Sequence, residues 1–292
     1  MDWLYFSEIA LSGLGSGALL AVTGLAFVLI YKATRVVNLA IGETLMLGAY
    51  LFFGFTGAMG LPVWMAIPLV LACGGLFGAV VERVVIRPML GSSPVAVFMV
   101  TIGLGSILVG VVELVWGLEP QRLKSFIEEK PVFIGPAYVS PKTAVAFAVA
   151  SATIVLFLVI FRYWRGSLAL RATATDPGAA YSCGINVPKV YSMSWIVACM
   201  IASGAGILVG AIGGLSSAMG LFGLSVLGVV IMGGLDSILG VLLAAMAVGL
   251  IEAFAGAYLG GEFKQITTFT LLMAMLMVRP HGLLGTAEID RL

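Results

Sequence analysis

Nine long apolar stretches take up most of this chain, at about residues 9–31, 37–57, 62–81, 95–116, 142–161, 190–213, 220–234, 237–258 and 265–278. An α-helix needs about 20 apolar residues to cross the ~30 Å hydrocarbon core of a bilayer, and most of the stretches reach that length. Lipid offers no partner to backbone N–H and C=O groups, so only helices and closed barrels span it. Unbroken apolar runs without period-two alternation fit helices. The chain therefore reads as all-α, a single polytopic transmembrane bundle of eight or nine spans occupying residues 1–292. The count is open because the seventh stretch is short and glycine-rich, and a half-span or re-entrant segment fits it as well as a crossing does.

Composition agrees. Of 292 residues, 61% are hydrophobic and 10% charged, against about 25% charged in soluble domains. A net charge of +1 gives no basic face for nucleic acid. Cys73, Cys183 and Cys199 are widely spaced and His281 is the single histidine, a pattern that points away from a metal site. Asp2 and Glu8 precede the first apolar run, unlike the basic start of a cleavable signal, so that run is expected to stay as a helix.

Charges between the stretches suggest an orientation. If all nine cross, Lys32, Arg35, Arg83, Arg87, Arg162, Arg165, Arg171, Lys189, Arg279 and Arg291 share one side. The other side holds Arg122, Lys124, Lys130, Lys142 and Lys264, the first three among Glu119, Glu128 and Glu129. The positive-inside rule then places the N-terminus outside and the C-terminus in the cytoplasm. Residues 117–141 become the longest external loop, with a short hairpin expected around Gly135-Pro136.

There are 38 glycines. Gly206, Gly210 and Gly214 recur every four residues, and Gly13/Gly17, Gly74/Gly78 and Gly256/Gly260 are further pairs at that spacing. Small faces let helices approach closely in lipid. They serve tight packing, or surfaces that slide during gating.

No catalytic pattern is present: no HExxH, no GxSxG, and no lysine preceded by a Walker A loop. The chain is not expected to be an enzyme, and any ATP that drives it is expected to bind other subunits. Polar residues near the start of the second stretch, Asn38 and Glu43, are the first pathway candidates, because a carboxylate at membrane depth is costly. A headgroup-level Glu43 beside Arg35 or Lys32 is the other reading. Glu113 and Glu252 fall near predicted helix ends.

The segment 162–189 carries its own punctuation. Asp176 is an N-cap, Pro177 suits the first helical position, and Gly184 suits the residue after a helix. A helix of about two turns over Pro177–Cys183, with small Ala179, Ala180 and Cys183, is too short to stand alone. It is either an interfacial linker or an element that docks in a partner's groove, in which case an arginine at Ala180 is expected to clash.

Several segments resemble the branched-chain amino acid ABC transporter permeases of the LivH type. Asn38-Leu-Ala-Ile-Gly-Glu43 with Met46-Leu-Gly-Ala-Tyr50 is similar to that family's Asn-Phe-Ala-His-Gly-Glu segment. Arg171 to Asn186 resembles its cytoplasmic loop. Gly233-Gly-Leu-Asp-Ser-Ile-Leu-Gly240, Gly249-Leu-Ile-Glu252 and Arg279-Pro-His-Gly-Leu-Leu-Gly285 resemble its later motifs, in order. The resemblance implies an importer subunit in a bacterial or archaeal cytoplasmic membrane. Its partners would be two cytoplasmic ATPase subunits that bind the ATP, a second permease subunit (LivM-like or an identical chain) and an external solute-binding protein. It implies alternating access, with Asp176, Pro177, Gly178, Ala179, Ala180 and Gly184 in the coupling element and Ile41 joining Asn38 and Glu43 on the substrate pathway. Gly206, Gly210 and Gly214 would be packing or gating positions. The sequence departs from the family where Ile41 replaces histidine, Asp236 replaces glycine and Gly178 replaces glutamate. Branched-chain amino acids, urea, amides and aromatic acids all remain open as solutes. A stand-alone secondary transporter or channel for a small polar solute is the alternative.

Overall fold

A computed structural model describes residues 3–123, 126–127, 130–163 and 165–285. Asp2, Lys124, Glu128, Glu129 and Arg291, named above for their charge, lie outside the described residues. The helices in chain order are α1 (Trp3–Thr34), α2 (Ile41–Gly57), α3 (Val63–Val81), α4 (Pro94–Trp116), α5 (Pro141–Tyr163), α6 (Arg165–Thr175), α7 (Pro177–Ser182), α8 (Val187–Gly213), α9 (Leu221–Gly233), α10 (Ile238–Tyr258) and α11 (Phe263–Val278). Each of the nine apolar stretches is one of these helices. Local chemistry sets several starts. Ser93 accepts from the Ala96 amide ahead of Pro94, Asn186 accepts from the Lys189 amide ahead of Pro188, and Ser237 accepts from the Gly240 amide. Each bond satisfies an amide that has no partner within its helix.

The chain is a polytopic helical membrane protein. Among the described residues six helical runs are long and apolar enough to cross a bilayer: Trp3–Thr34, Val63–Met89, Pro94–Trp116, Pro141–Tyr163, Val187–Gly213 and Ile238–Tyr258. That is fewer than the eight or nine read from the apolar stretches. The physical reason lies at the breaks. α2 has 17 residues because the backbone before it is not helical, α9 has 13 behind a 3₁₀ turn at Ser217–Gly220, and α11 has 16.

The chain folds as two compact units. One comprises Met1–Val28, Ile127–Ser151 and Ser225–Leu292. Within it α1 crosses α10 on bare backbone: a Cβ built on Gly13 would lie 2.9 Å from Leu250 Cα, and Gly249 abuts Gly17. The hairpin pairs β1 (Val132–Ile134) with β2 (Ala137–Val139), Val132 opposite Val139. The Tyr138 amide donates to Glu8 Oε1 at 3.0 Å. Thr268 Oγ1 donates to the Glu252 carboxylate between α10 and α11. The segment after α11 folds back on α9. The amides of Leu283 and Leu284 donate to the carbonyls of Met232 (2.8 Å) and Gly233 (3.1 Å). Gly234 and Gly282 take positive φ, +103° and +77°, at this contact. The Gly233-Gly234 and Arg279–Gly285 motifs, 45 residues or more apart in sequence, therefore form one structure.

The other unit comprises Leu29–Phe126 and Ala152–Leu224, and α8 is its axis. Gly74 and Gly78 of α3 lie against Ser203, Cys199 and the Trp195 carbonyl, and Trp195 is fully buried. On α2, Gly48 lies against Ser203, while Gly206 of α8 lies against the Leu45 carbonyl. Phe52, Ala66, Val70 and Ile207 form an apolar cluster nearby. The glycine pattern needs one correction. Gly206 and Gly210 do pack on α2, but Gly214 is not on that face. It ends α8 with φ +81°, the left-handed turn that a side chain resists. Gly260, likewise, lies beyond the end of α10 at φ +114°.

Candidate translocation and coupling sites

The polar residues at the start of α2 sit where the helical backbone is interrupted. α1 ends at Thr34, and Arg35 turns the chain with φ +55°, its amide donating to the Tyr31 carbonyl at 2.8 Å. Its guanidinium Nη2 reaches the Ala174 carbonyl at 3.4 Å. Residues 36–40 then run without helix into the unit. Asn38 is 2% exposed, and its Oδ1 accepts from the Ala40 amide at 3.1 Å. The Leu39 amide donates to Thr101 Oγ1 at 3.3 Å, and Thr101 is fully buried on α4. Irregular backbone is tolerated at membrane depth only where such partners exist or a cavity is lined.

The break is deep. α2 lies along α8 with Leu45 against Gly206 and Ala49 against Gly210. Gly206 lies about 28 Å along α8 from Val187 at 1.5 Å per residue, short of the far end of that helix by about two turns. Glu43 is therefore not at the end of the bundle where Lys32 and Arg35 emerge.

Glu43 occupies the first turn of α2, where the helix N-terminus favours negative charge. Glycines hold its carboxylate. A Cβ built on Gly105 of α4 would come 3.1 Å from Glu43 Cδ, and one on Gly220 would come 2.9 Å from Oε1. A Cβ on Gly223 would come 2.6 Å from Gly42 Cα, so α2 and α9 begin almost in backbone contact. Within this frame Glu43 Oε2 is buried with no hydrogen-bond partner. The three pathway candidates thus separate. Asn38 spends its carbonyl oxygen on the chain's own turn. Ile41 is fully buried and packs. Of the three, Glu43 alone keeps a fully buried polar atom without a partner. Thr101, Gly105, Gly220 and Gly223 were not singled out from the sequence. Pairs of glycine three or fewer residues apart, at 103/105 and 220/223, were the available signal.

At the other candidate site, α7 is a self-contained turn. Asp176 Oδ1 accepts from the amides of Gly178 (2.8 Å) and Ala179 (3.0 Å). At its end the Gly184 amide donates to the Tyr181 carbonyl and the Ile185 amide to the Ala180 carbonyl, with Gly184 at φ +82°. This is the paired closure that glycine permits after a helix. Cys183 caps the helix and is not within it. One expectation is corrected. Ala180 is 4% exposed and packs within its own chain, so it cannot present itself to a partner. Pro177, Gly178, Ala179, Tyr181 and Ser182 form the exposed side, Tyr181 at 71%. The helix α6 before it was not anticipated, because Arg165–Thr175 lacks a sustained apolar run.

A third polar cluster escaped the sequence reading. After α3 the chain widens into a π-helical turn, Glu82–Ile86, and then tightens through a 3₁₀ turn, Arg87–Met89. Glu82 is 1% exposed and is held by Arg87 Nε (3.0 Å), Arg87 Nη2 (2.8 Å) and Ser192 Oγ (2.7 Å). The pair fastens the end of α3 to α8.

The family model described as "Branched-chain amino acid transport system / permease component" matches residues 9–278, from α1 through α11. The chain belongs to that family of ABC transporter permeases, of the LivH type. The match takes in the interrupted turn, α7 and the Gly233-Gly234 pair, but not the 279–285 segment that packs on that pair. The high-affinity branched-chain amino acid transport system permease protein LivH of Escherichia coli (strain K12) is 28% identical over 310 residues, covering 99% of each chain. BraD of Pseudomonas aeruginosa, described in the same terms, is 25% identical over 98% of each. The fructose import permease protein FrcC of Rhizobium meliloti is 25% identical over 89% of this chain and 73% of its own. A chain in the structure of PsaBC from Streptococcus pneumoniae in complex with Fab shares the fold, at TM-score 0.53 and 11% identity over 96% of this chain and 94% of that one.

Proposed function

We propose that this permease is the membrane-spanning half of an ATP-driven importer for branched-chain or other hydrophobic amino acids, or related small solutes. Separate ATPase subunits bind the ATP, a second permease subunit completes the pathway, and an external binding protein delivers the solute. The apolar helices make eight or nine crossings of the cytoplasmic membrane, nine placing the N-terminus outside and the C-terminus in the cytoplasm. The relatives' names support the amino-acid cargo, and the fructose permease marks the breadth of chemistry that similar chains carry.

The observation that carries the coupling role is α7. It is capped at both ends by its own residues and anchored by buried Ala180, yet presents Pro177, Gly178, Ala179 and Tyr181 outward. A short rigid helix with an exposed small-residue face suits a groove on an ATPase. Closure of the ATPase pair would push this helix and switch the bundle between two packings. Glu43, with its unspent oxygen at the break before α2, is the pathway residue in this reading.

The test is Ala179→Arg, an exposed position that leaves the buried anchor intact. Co-purification of the ATPase and solute uptake are both expected to fail, while the permease still reaches the membrane. Normal association and uptake would remove α7 from the coupling role.

A further inference from the structure

Two adjoining crevices open beside Lys189 at the basic end of α8. The larger, about 750 Å³, is apolar and includes Leu29, Phe157, Phe161, Val190 and Val197. The smaller, about 590 Å³, is of mixed lining and includes the polar side chains of Arg87, Asn186 and Ser192. Lys189 and Met193 line both. All these residues belong to one unit.

The charges at this junction are unbalanced. Lys189 is exposed, and among the described residues no carboxylate pairs with it. Arg87 uses Nε and Nη2 on Glu82 and Ser192, while Nη1 makes none of these bonds, and its side chain is 38% exposed. Ser194 at the apolar crevice offers nothing comparable, because its Oγ is spent on the Val190 carbonyl at 2.9 Å. A ligand that fits both crevices needs an anionic group beside Lys189 and a long apolar part below it.

We propose that this double crevice binds one anionic phospholipid. Its phosphate lies between Lys189 and Arg87, and an acyl chain lies in the apolar crevice along Phe157, Phe161 and Val197. Charge complementarity selects the headgroup, since each basic group near a membrane surface favours anionic lipid. The apolar crevice distinguishes a lipid from a free phosphate. Lys189 follows α7 within the turn that starts α8, so the bound lipid would lie next to the coupling element. The site itself stands without the coupling reading.

Native mass spectrometry tests it. The delipidated full chain is mixed with micelles containing equal amounts of dioleoylphosphatidylglycerol and dioleoylphosphatidylcholine. Retention of the phosphatidylglycerol is expected to exceed that of the phosphatidylcholine by about tenfold, the scale that one or two basic groups supply. Lys189→Gln is expected to abolish the preference, Lys189→Arg to keep it, and Lys142→Gln in α5 to leave it unchanged. Val197→Trp, which fills the apolar crevice, is expected to reduce retention even with Lys189 present. Size-exclusion profiles matching the parent chain establish that the variants fold, and Lys189→Arg carries the test if Lys189→Gln does not fold. Equal retention of the two lipids overturns the proposal, as does a preference that survives Lys189→Gln. Displacement by glycerol phosphate as effective as by the lipid would mean a plain phosphate site and also overturns it. So would failure to retain any lipid, the result if another protein chain fills the crevice.

Discussion

The carboxylate of Glu43 rests against the backbone of Gly220, so close that a Cβ there would come 2.9 Å from Oε1. The two residues come from helices far apart in sequence, and the absence of a side chain at 220 makes room for the charge. Gly220→Ala is expected to displace the carboxylate while leaving the fold intact, since the contact is with the far end of a flexible side chain. Uptake in whole cells should fall about tenfold, equivalent to ~1.4 kcal/mol. Undiminished uptake would show that the carboxylate's position does not matter.

Glu43→Gln keeps the shape and removes the charge. If the unspent oxygen serves the solute's path, transport should drop by at least about tenfold with the subunits still assembled. Comparing uptake with co-purified ATPase separates loss of transport from loss of assembly. Equal uptake in the two proteins would take Glu43 off the pathway.

How much of this was legible in the sequence depends on which forces set each feature. Every apolar stretch became a helix because lipid leaves the backbone no other solution. The short helix α7 was readable because Asp176, Pro177 and Gly184 act locally. The face of that helix was not readable. Ala180 and Ala179 are chemically identical, and only packing decides that one is buried. Glu43 was visible as an unusual carboxylate, but its environment is built by Gly105 and Gly220, whose meaning is tertiary. Gly214 misled for a related reason: spacing by four marks a helix face only while the helix continues. The start of α2 was hidden for the same reason, because nothing local announces that residues 36–40 stay non-helical.

The α2–α8 crossing gives a graded stability test. A methyl group on Gly206 would overlap the Leu45 carbonyl, whereas one on Gly103 would meet nothing within 4 Å. Gly206→Ala should destabilise by about 1–3 kcal/mol, as overpacking does. Gly103→Ala should be neutral or stabilising by up to ~1 kcal/mol, the helix-propensity difference. Thermal melts in detergent, followed by size-exclusion chromatography, would distinguish them. Similar melting of the two variants would contradict the close crossing.

Removing Ser192 Oγ takes one of three hydrogen-bond donors from buried Glu82. Ser192→Ala should cost about 1.5–3 kcal/mol, the usual range for bonds to a charged group. Glu82→Ala should cost more, because it detaches the π-helical turn from α8 altogether. The ordering of their melting temperatures is the measurement, and the reverse order would show that the cluster does not fasten α3.

Asp176→Ala should loosen α7 by about 1 kcal/mol, the usual loss of an N-cap. Amide exchange at Gly178 and Ala179 should accelerate, with α8 unaffected. Unchanged exchange would show that packing of Ala180 alone holds the turn.

The return of residues 279–285 onto the end of α9 also sets an order of biosynthesis. A nascent chain that has reached Val278 already contains every described helix, yet the carbonyls of Met232 and Gly233 still lack the Leu283 and Leu284 amides that close them. The late end of α9 is completed only by a segment made some fifty residues afterwards. Translation that stops just short of that segment leaves the end of α9 with two carbonyls unpaired, a cost of about 1–3 kcal/mol for each group left buried.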